Sequence, residues 1–118
     1  MAKDKVTEAV TIDDIRAAAR RLDGHARRTP MLSSPFLDEI AGRRVLVKAE
    51  PLQVTGSFKF RGGWSAVSQL PSDCAGVIAF SSGNHAQGVA MAAKMRGLPA
   101  VIIMPSDAPQ LKIRNTHA

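Results

Sequence analysis

Residues Gly76–Pro105, GVIAFSSGNHAQGVAMAAKMRGLPAVIIMP, decide the architecture. Gly76 to Phe80 reads as a buried strand, and Ser81 to Gly88 as a tight loop. Val89 to Arg96, rich in alanine and methionine and ended by Gly97, reads as a helix. Ala100 to Met104 is a second apolar strand closed by Pro105. Strand, loop, helix and strand make a βαβ unit, which crosses over right-handed into a parallel sheet. The expected fold class is therefore α/β. Ligands of such sheets sit at the carboxyl ends of the strands, where Ser81, Ser82, Gly83, Asn84 and His85 lie. Backbone N–H groups at a helix N-terminus, two hydroxyls, an amide and an imidazole would converge there on an anion-sized space. The same residues also suit a capped turn that binds nothing. This stretch alone leaves both readings open.

The stretch upstream, Gln53-Val54-Thr55-Gly56-Ser57-Phe58-Lys59-Phe60-Arg61-Gly62-Gly63, opens a helical pattern running to about Leu70. Thr55 or Ser57 is expected to cap it, because a hydroxyl there accepts from orphan N–H groups of the first turn. Lys59 then falls at the positive end of the helix dipole, with Arg61 close by. A surface lysine with its ammonium in water satisfies the pattern. The sharper reading is that the dipole, Arg61 and burial against Phe58 and Phe60 push the amine toward neutrality, the form that attacks carbonyls. Gly62 and Gly63 each cost about 1 kcal/mol against alanine inside a helix, which points to a close backbone approach by a strand, a loop or a ligand.

Around these two segments the chain is unexceptional. Its 118 residues, 45% hydrophobic and 22% charged, suit one globular domain. Thr11 is expected to cap a first helix whose Ile12, Ile15, Ala19 and Leu22 face a core. Leu32 to Ser34 reads as a short extended piece and Pro35 to Ile40 as a brief helix stopped at Gly42. Arg44 to Glu50 reads as a strand turned at Pro51, and a last helix is expected near Ala108-Pro109 with Ser106 or Asp107 as cap. A single cysteine, Cys74, excludes a disulfide framework and a cysteine-based metal site and favours a reducing compartment, so a cytoplasmic location is expected. No apolar run is long enough for a membrane span, and Met1 to Val10 has no export signal. The formal charge of +6 could suit phosphate backbones. However, the arginine pairs are interleaved with apolar and acidic residues and have no aromatic stacking platform. A solvated basic face, not a nucleic-acid site, is the expectation.

Taken together, Gln53-x-Thr55-Gly56-Ser57-Phe58-Lys59-x-Arg61-Gly62 and Ser81-Ser82-Gly83-Asn84-His85-Ala86-Gln87-Gly88 resemble the pyridoxal-phosphate enzymes of fold type II, the tryptophan synthase β-like fold. Within these, Phe60 and His85 make the chain most similar to the threonine/serine dehydratase and serine racemase branch. Arg28-Thr29-Pro30, Lys48-x-Glu50, Met104-Pro105, Ala108-Pro109 and Lys112 agree with it. The resemblance implies pyridoxal 5'-phosphate as cofactor, a small 3-hydroxy amino acid as substrate, no metal ligand in this chain and a homo-oligomer for the full-length family. It implies that Lys59 holds the cofactor and takes the Cα proton, that Phe58 packs near the cofactor ring, and that Asn84 hydrogen-bonds its phenolic oxygen. Ser81, Ser82, Asn84 and His85 would bind the substrate carboxylate. In racemase members the serine matching Ser82 works as acid and base on the opposite face.

The implied activity is an ammonia-lyase giving a 2-oxo acid and ammonia, with serine racemase or 3-hydroxyaspartate dehydratase as alternatives. A non-catalytic binding fragment is the reading from another class. Residues 1–10 read as a flexible N-terminus and residues 11–118 as the N-terminal portion of the dehydratase domain. The 118 residues contain no run of three glycines to cradle the cofactor phosphate, so the isolated chain is expected to be truncated and weakly active or inactive.

Overall fold

A computed structural model describes residues 9–118; the expected flexible N-terminus falls outside these except for Ala9 and Val10, which form no regular element. The elements in order are α1 (Ile12–Leu22), β1 (Met31–Leu32), α2 (Pro35–Ala41), β2 (Val47–Lys48), a 3-10 turn (Glu50–Leu52), α3 (Lys59–Val67), β3 (Val77–Phe80), α4 (Asn84–Arg96), β4 (Ala100–Ile103) and α5 (Gln110–His117). β3 and β4 pair in parallel, Val77 with Ala100 through Phe80 with Ile103, with α4 as the crossover. β1 and β2 pair antiparallel, Met31 with Lys48 and Leu32 with Val47. The fold is α/β with a parallel sheet, as expected. Among the described residues no helix is long and apolar enough to cross a membrane.

Local chemistry explains most boundaries. Thr11 caps α1 through a reciprocal box, its hydroxyl accepting from the Asp14 N–H while the Asp14 carboxylate accepts from the Thr11 N–H. Gly42 and Gly97 end α2 and α4 in the left-handed conformation, at φ 64° and 71°. The strand expected over Arg44 to Glu50 shrinks to two residues, because Glu50 already enters the 3-10 turn around Pro51. The Val45 N–H is taken by the Asp38 carboxylate at 2.7 Å instead of a ladder partner.

The core lies between α3 and α4. Phe60, Trp64 and Val67 of α3 meet Ala92 of α4, and Leu22, Val54 and Val77 pack around them. The Trp64 indole donates to the Arg21 carbonyl at 2.8 Å, docking the end of α1. At the far end of α3 the Arg96 guanidinium donates to the carbonyls of Val67 and Leu70. Gly63 makes the helix contact possible: a methyl group there would stand 2.8 Å from the Gly88 carbonyl oxygen. The backbone approach expected near the two glycines is thus a neighbouring helix, not a strand, loop or ligand, and it concerns Gly63 alone. Gly62 is exposed with open space around it.

Two burial expectations fail for one reason. Ile12 and Ile15 are 58% and 57% exposed and Ala19 is exposed, while the hydrogen bonds that hold α1 to α3 come from Arg21 in its last turn. The strand β3 is not buried: Ile78 and Phe80, paired with Val101 and Ile103, form an exposed apolar sheet face. Periodicity marks an apolar face but does not supply what covers it.

The segment before α3 is held by Glu50. Its carboxylate accepts from Arg61 Nη2 at 2.7 Å and Nε at 2.9 Å, and from the Thr29 hydroxyl at 2.6 Å. Beside it the Gln53 amide accepts from the Arg27 N–H and donates to the Arg27 carbonyl. The Arg61 hydrogen bonds, followed by that of Thr29, draw the Glu50 carboxyl from its ordinary 4.5 to about 2 against the opposing effect of burial. A depressed carboxylate contributes stability above its unfolded value and loses it as pH falls through the folded one. Glu50→Gln should therefore lower stability at neutral pH by about 2 kcal/mol, the scale of a charged hydrogen bond. The gap to wild type should close between pH 4.5 and about 2, as read by urea unfolding at a series of pH values. The glycines should respond oppositely. Gly63→Ala should destabilise by about 1–3 kcal/mol through overpacking, whereas Gly62→Ala should stabilise by up to about 1 kcal/mol through helix propensity; thermal melts of the two variants check this.

Candidate active site

Two helix N-termini carry the residues singled out in the sequence, Lys59 at the start of α3 and Asn84 and His85 at the start of α4. The turn before α3 does not work by hydroxyl capping. Phe58 is the cap residue and is already helical at φ −62°, ψ −15°, with no side-chain cap bond. Gly56, at φ 74°, turns the chain, and its N–H donates to the Gln53 carbonyl at 2.9 Å. The Thr55 and Ser57 hydroxyl oxygens, expected as caps, are instead buried and lack hydrogen-bond partners within the chain.

Lys59 itself is exposed, with its amine 5.2 Å from the centroid of the Phe58 ring, within cation–π range. Phe58 is 58% exposed, and only Phe60 is fully buried. Of the three influences expected to act on the amine, the helix dipole is in place and burial is not. The charge of Arg61 is compensated, because its guanidinium turns away onto Glu50.

The second helix start comes five residues earlier than expected, at Asn84, so that Asn84 to Gly88 are helical and not loop. Gly83 is the cap residue, and its N–H donates to the Ser81 hydroxyl oxygen at 3.1 Å. Ser81 thereby braces the turn, while the Ser81 N–H donates to the Ile103 carbonyl and ties it to the end of β4. Ser82, Asn84 and His85 are exposed. Lys112 of α5 crosses Gly83 so closely that a methyl group on that glycine would lie 2.6 Å from its Nζ. A cation beside the positive end of a helix dipole favours an anion between them. Similarly, the α5 start differs from expectation: Pro109 precedes it, and neither Ser106 nor Asp107 caps it.

The two helix starts are joined by Gly88. A methyl group there would stand 3.0 Å from both the carbonyl carbon and oxygen of Lys59. Asn84 lies four residues earlier on the same helical face, about 6 Å along the axis. The backbone of Lys59 is therefore brought to within about one helical turn of Asn84. By contrast, the hollow of about 580 Å³ bounded by Thr55, Gln87, Met91 and His117 contains none of Lys59, Ser82 or Asn84. Among the described residues no cluster of three His, Cys, Asp or Glu side chains could hold a metal ion.

Sequence reasoning gave no role to Glu50, Gly88 or Lys112. Gly88 carried no such signal, since it reads as a loop residue before a helix expected from Val89, and only the start of α4 at Asn84 makes it a helical glycine like Gly63. The amine, the Asn84 amide and the α4 N-terminus form a donor set that fits the aldehyde, the phenolic oxygen and an accompanying carboxylate of a pyridoxal 5'-phosphate site. The only glycine pair among the described residues, Gly62-Gly63, is inside α3 and forms no phosphate loop.

Comparison with known proteins agrees. Residues 22–118 match the family described as Pyridoxal-phosphate dependent enzyme. The L-threo-3-hydroxyaspartate ammonia-lyase of a Pseudomonas species is 52% identical over 106 residues, covering 88% of this chain and 33% of that protein. The serine racemase of Schizosaccharomyces pombe is 46% identical over 108 residues, 90% of this chain and 33% of its own length. The structure of maize serine racemase superposes with a TM-score of 0.87 at 41% identity, covering 93% of this chain and 34% of that one. The chain spans about a third of the length of the curated relatives it matches. With the family match running from the end of α1 through α5, on the fold type II α/β layers described above, the chain belongs to the pyridoxal-phosphate dependent enzymes.

Proposed function

We propose that the chain provides the amine and carboxylate-binding side of a pyridoxal-phosphate-dependent ammonia-lyase site. The substrate would be a small 3-hydroxy amino acid, converted to a 2-oxo acid and ammonia. The observation that supports this most directly is the seating of Lys59 against Gly88, one turn from Asn84. The relatives' names include ammonia-lyases acting on threonine and 3-hydroxyaspartate as well as serine racemases, so racemisation is the alternative chemistry at the same residues. Full-length homo-oligomerisation and a cytoplasmic location accompany the proposal, the latter on the lone Cys74.

In this reading the Lys59 amine binds the cofactor aldehyde, and Asn84 donates to the cofactor's phenolic oxygen. Ser82, His85 and the free N–H groups at the start of α4 hold the substrate carboxylate, with Ser81 fixing the turn and Lys112 adding positive charge. The bound cofactor supplies an electron sink for the Cα carbanion. Set free when the substrate amine takes its place on the aldehyde, Lys59 would take the Cα proton, and the β-hydroxyl would leave as water after protonation. Return of the Lys59 amine to the aldehyde would free the enamine, which would tautomerise and take up water to give the 2-oxo acid and ammonia. For racemisation, Ser82 returns the proton from the opposite face. Phe58 lies under the Lys59 amine in the free chain and would pack beside the cofactor ring.

Because Lys59, Ser82, Asn84 and His85 are open to water, where electrostatic stabilisation is screened, the 118-residue chain should turn over slowly by itself. Borohydride reduction with pyridoxal 5'-phosphate, followed by peptide mass spectrometry, should place the adduct selectively on Lys59. Lys59→Ala should abolish that adduct and lower any 2-oxo acid formation from L-threonine, L-serine or L-threo-3-hydroxyaspartate by about 10²–10⁴-fold. Adduct spread evenly over the lysines, or unchanged turnover in the variant, would falsify the proposal and leave a non-catalytic binding role.

A further inference from the structure

We propose that Gly88 is a positioning residue for Lys59, setting the distance between the amine-bearing backbone and Asn84. The inference rests on the active-site reading above and extends it to a residue with no polar side chain.

A methyl group at Gly88 would meet the Lys59 carbonyl carbon and oxygen at 3.0 Å and the Phe60 nitrogen at 3.2 Å. Unstrained non-bonded carbon contacts begin near 3.5 Å. These three nearest atoms are all backbone, so no side chain can swing aside to clear them. The opposite side of the contact is equally tight, since the Gly88 carbonyl faces Gly63, one turn after Lys59 on α3. Gly88 is buried, and α3 is tied at its start by the Arg61–Glu50 pair. A Cβ at Gly88 must therefore push the first turn of α3 away from α4. Lys59 is the first helical residue of that turn and Asn84 the first of α4. Displacement by several tenths of an ångström would lengthen the separation between the amine and the turn that holds the other half of the site.

The consequence differs from simple loss of stability. Lys59 is exposed already, so its reaction with a small acylating reagent needs no particular geometry. Its capture of pyridoxal 5'-phosphate needs the amine and the α4 N-terminus together. The test compares, residue by residue, acetylation of Lys59 by acetic anhydride with formation of the borohydride-reduced pyridoxal 5'-phosphate adduct at Lys59. Wild type, Gly88→Ala and Val67→Ala are measured, with folding followed by circular dichroism. Val67→Ala opens the same core two turns away and serves as the destabilised control. A Gly62→Ala/Gly88→Ala variant restores helix propensity should Gly88→Ala alone melt at the assay temperature.

Gly88→Ala, alone or in the Gly62→Ala background, should lower the ratio of cofactor adduct to acetylation by about tenfold, since misplacement approaching 1 Å costs up to about 10²-fold. Val67→Ala should leave the ratio unchanged. A folded Gly88→Ala chain with the wild-type ratio overturns the proposal, as does an equal fall in Val67→Ala, which would make the effect general loosening. Failure of the wild type to form a selective Lys59 adduct defeats the active-site reading itself, and the positioning role with it.

Discussion

Two helices can approach backbone to backbone only where neither projects a side chain, and this chain meets that condition at Gly63 and Gly88. The contact sets the spacing of α3 and α4, and the remaining architecture follows from it. Phe60, Trp64 and Val67 reach Ala92 because the axes are close. The crossover helix can then lie on the two parallel strands with its first turn at their carboxyl ends. The two glycines lower intrinsic helix propensity, which burial of the large side chains beside them offsets.

The sequence motifs divide their work between chemistry and support. Lys59, Ser82, Asn84 and His85 project from helix starts and turns into solvent. Thr29, Lys48, Glu50, Gln53 and Arg61, equally prominent in the resemblance, form hydrogen bonds that order the segment before α3: Lys48 donates to the Thr29 carbonyl at 3.1 Å, and Glu50 collects Thr29 and Arg61. A carboxylate that accepts from a fork-shaped guanidinium and a hydroxyl fixes three segments with one half-buried charge pair. Conspicuous polar residues near a candidate lysine are thus here mainly the means by which it is held.

Much of this was legible beforehand where the determinant is local. The Thr11 cap, the stops at Gly42 and Gly97 and the parallel β3–β4 pair each depend on residues within a few positions or on a simple apolar run. Reading failed where a distant partner decides the outcome. Arg61 looked like a neighbour that would act on Lys59, yet its charge is met by Glu50 eleven residues away. Thr55 and Ser57 had the right chemistry for caps, but Gly56 redirects the backbone before the helix begins. The early start of α4 was hidden because Gly88 resembles a loop residue until Lys59 is seen against it. Exposure of Ile12, Ile78 and Phe80 was hidden for a similar reason, since a repeat pattern carries no information about the opposing surface.

The attachments of α3 also determine which way it can move. Arg61 anchors its first turn to Glu50, and Arg96 grips the carbonyl of its last residue, Val67, and that of Leu70 just beyond. Sliding along the axis would break charged hydrogen bonds at both ends. Gly88 meets the Lys59 backbone as well as Gly63, so the amine-bearing end of the helix is pinned by the contact itself while the Arg96 bonds hold the other end.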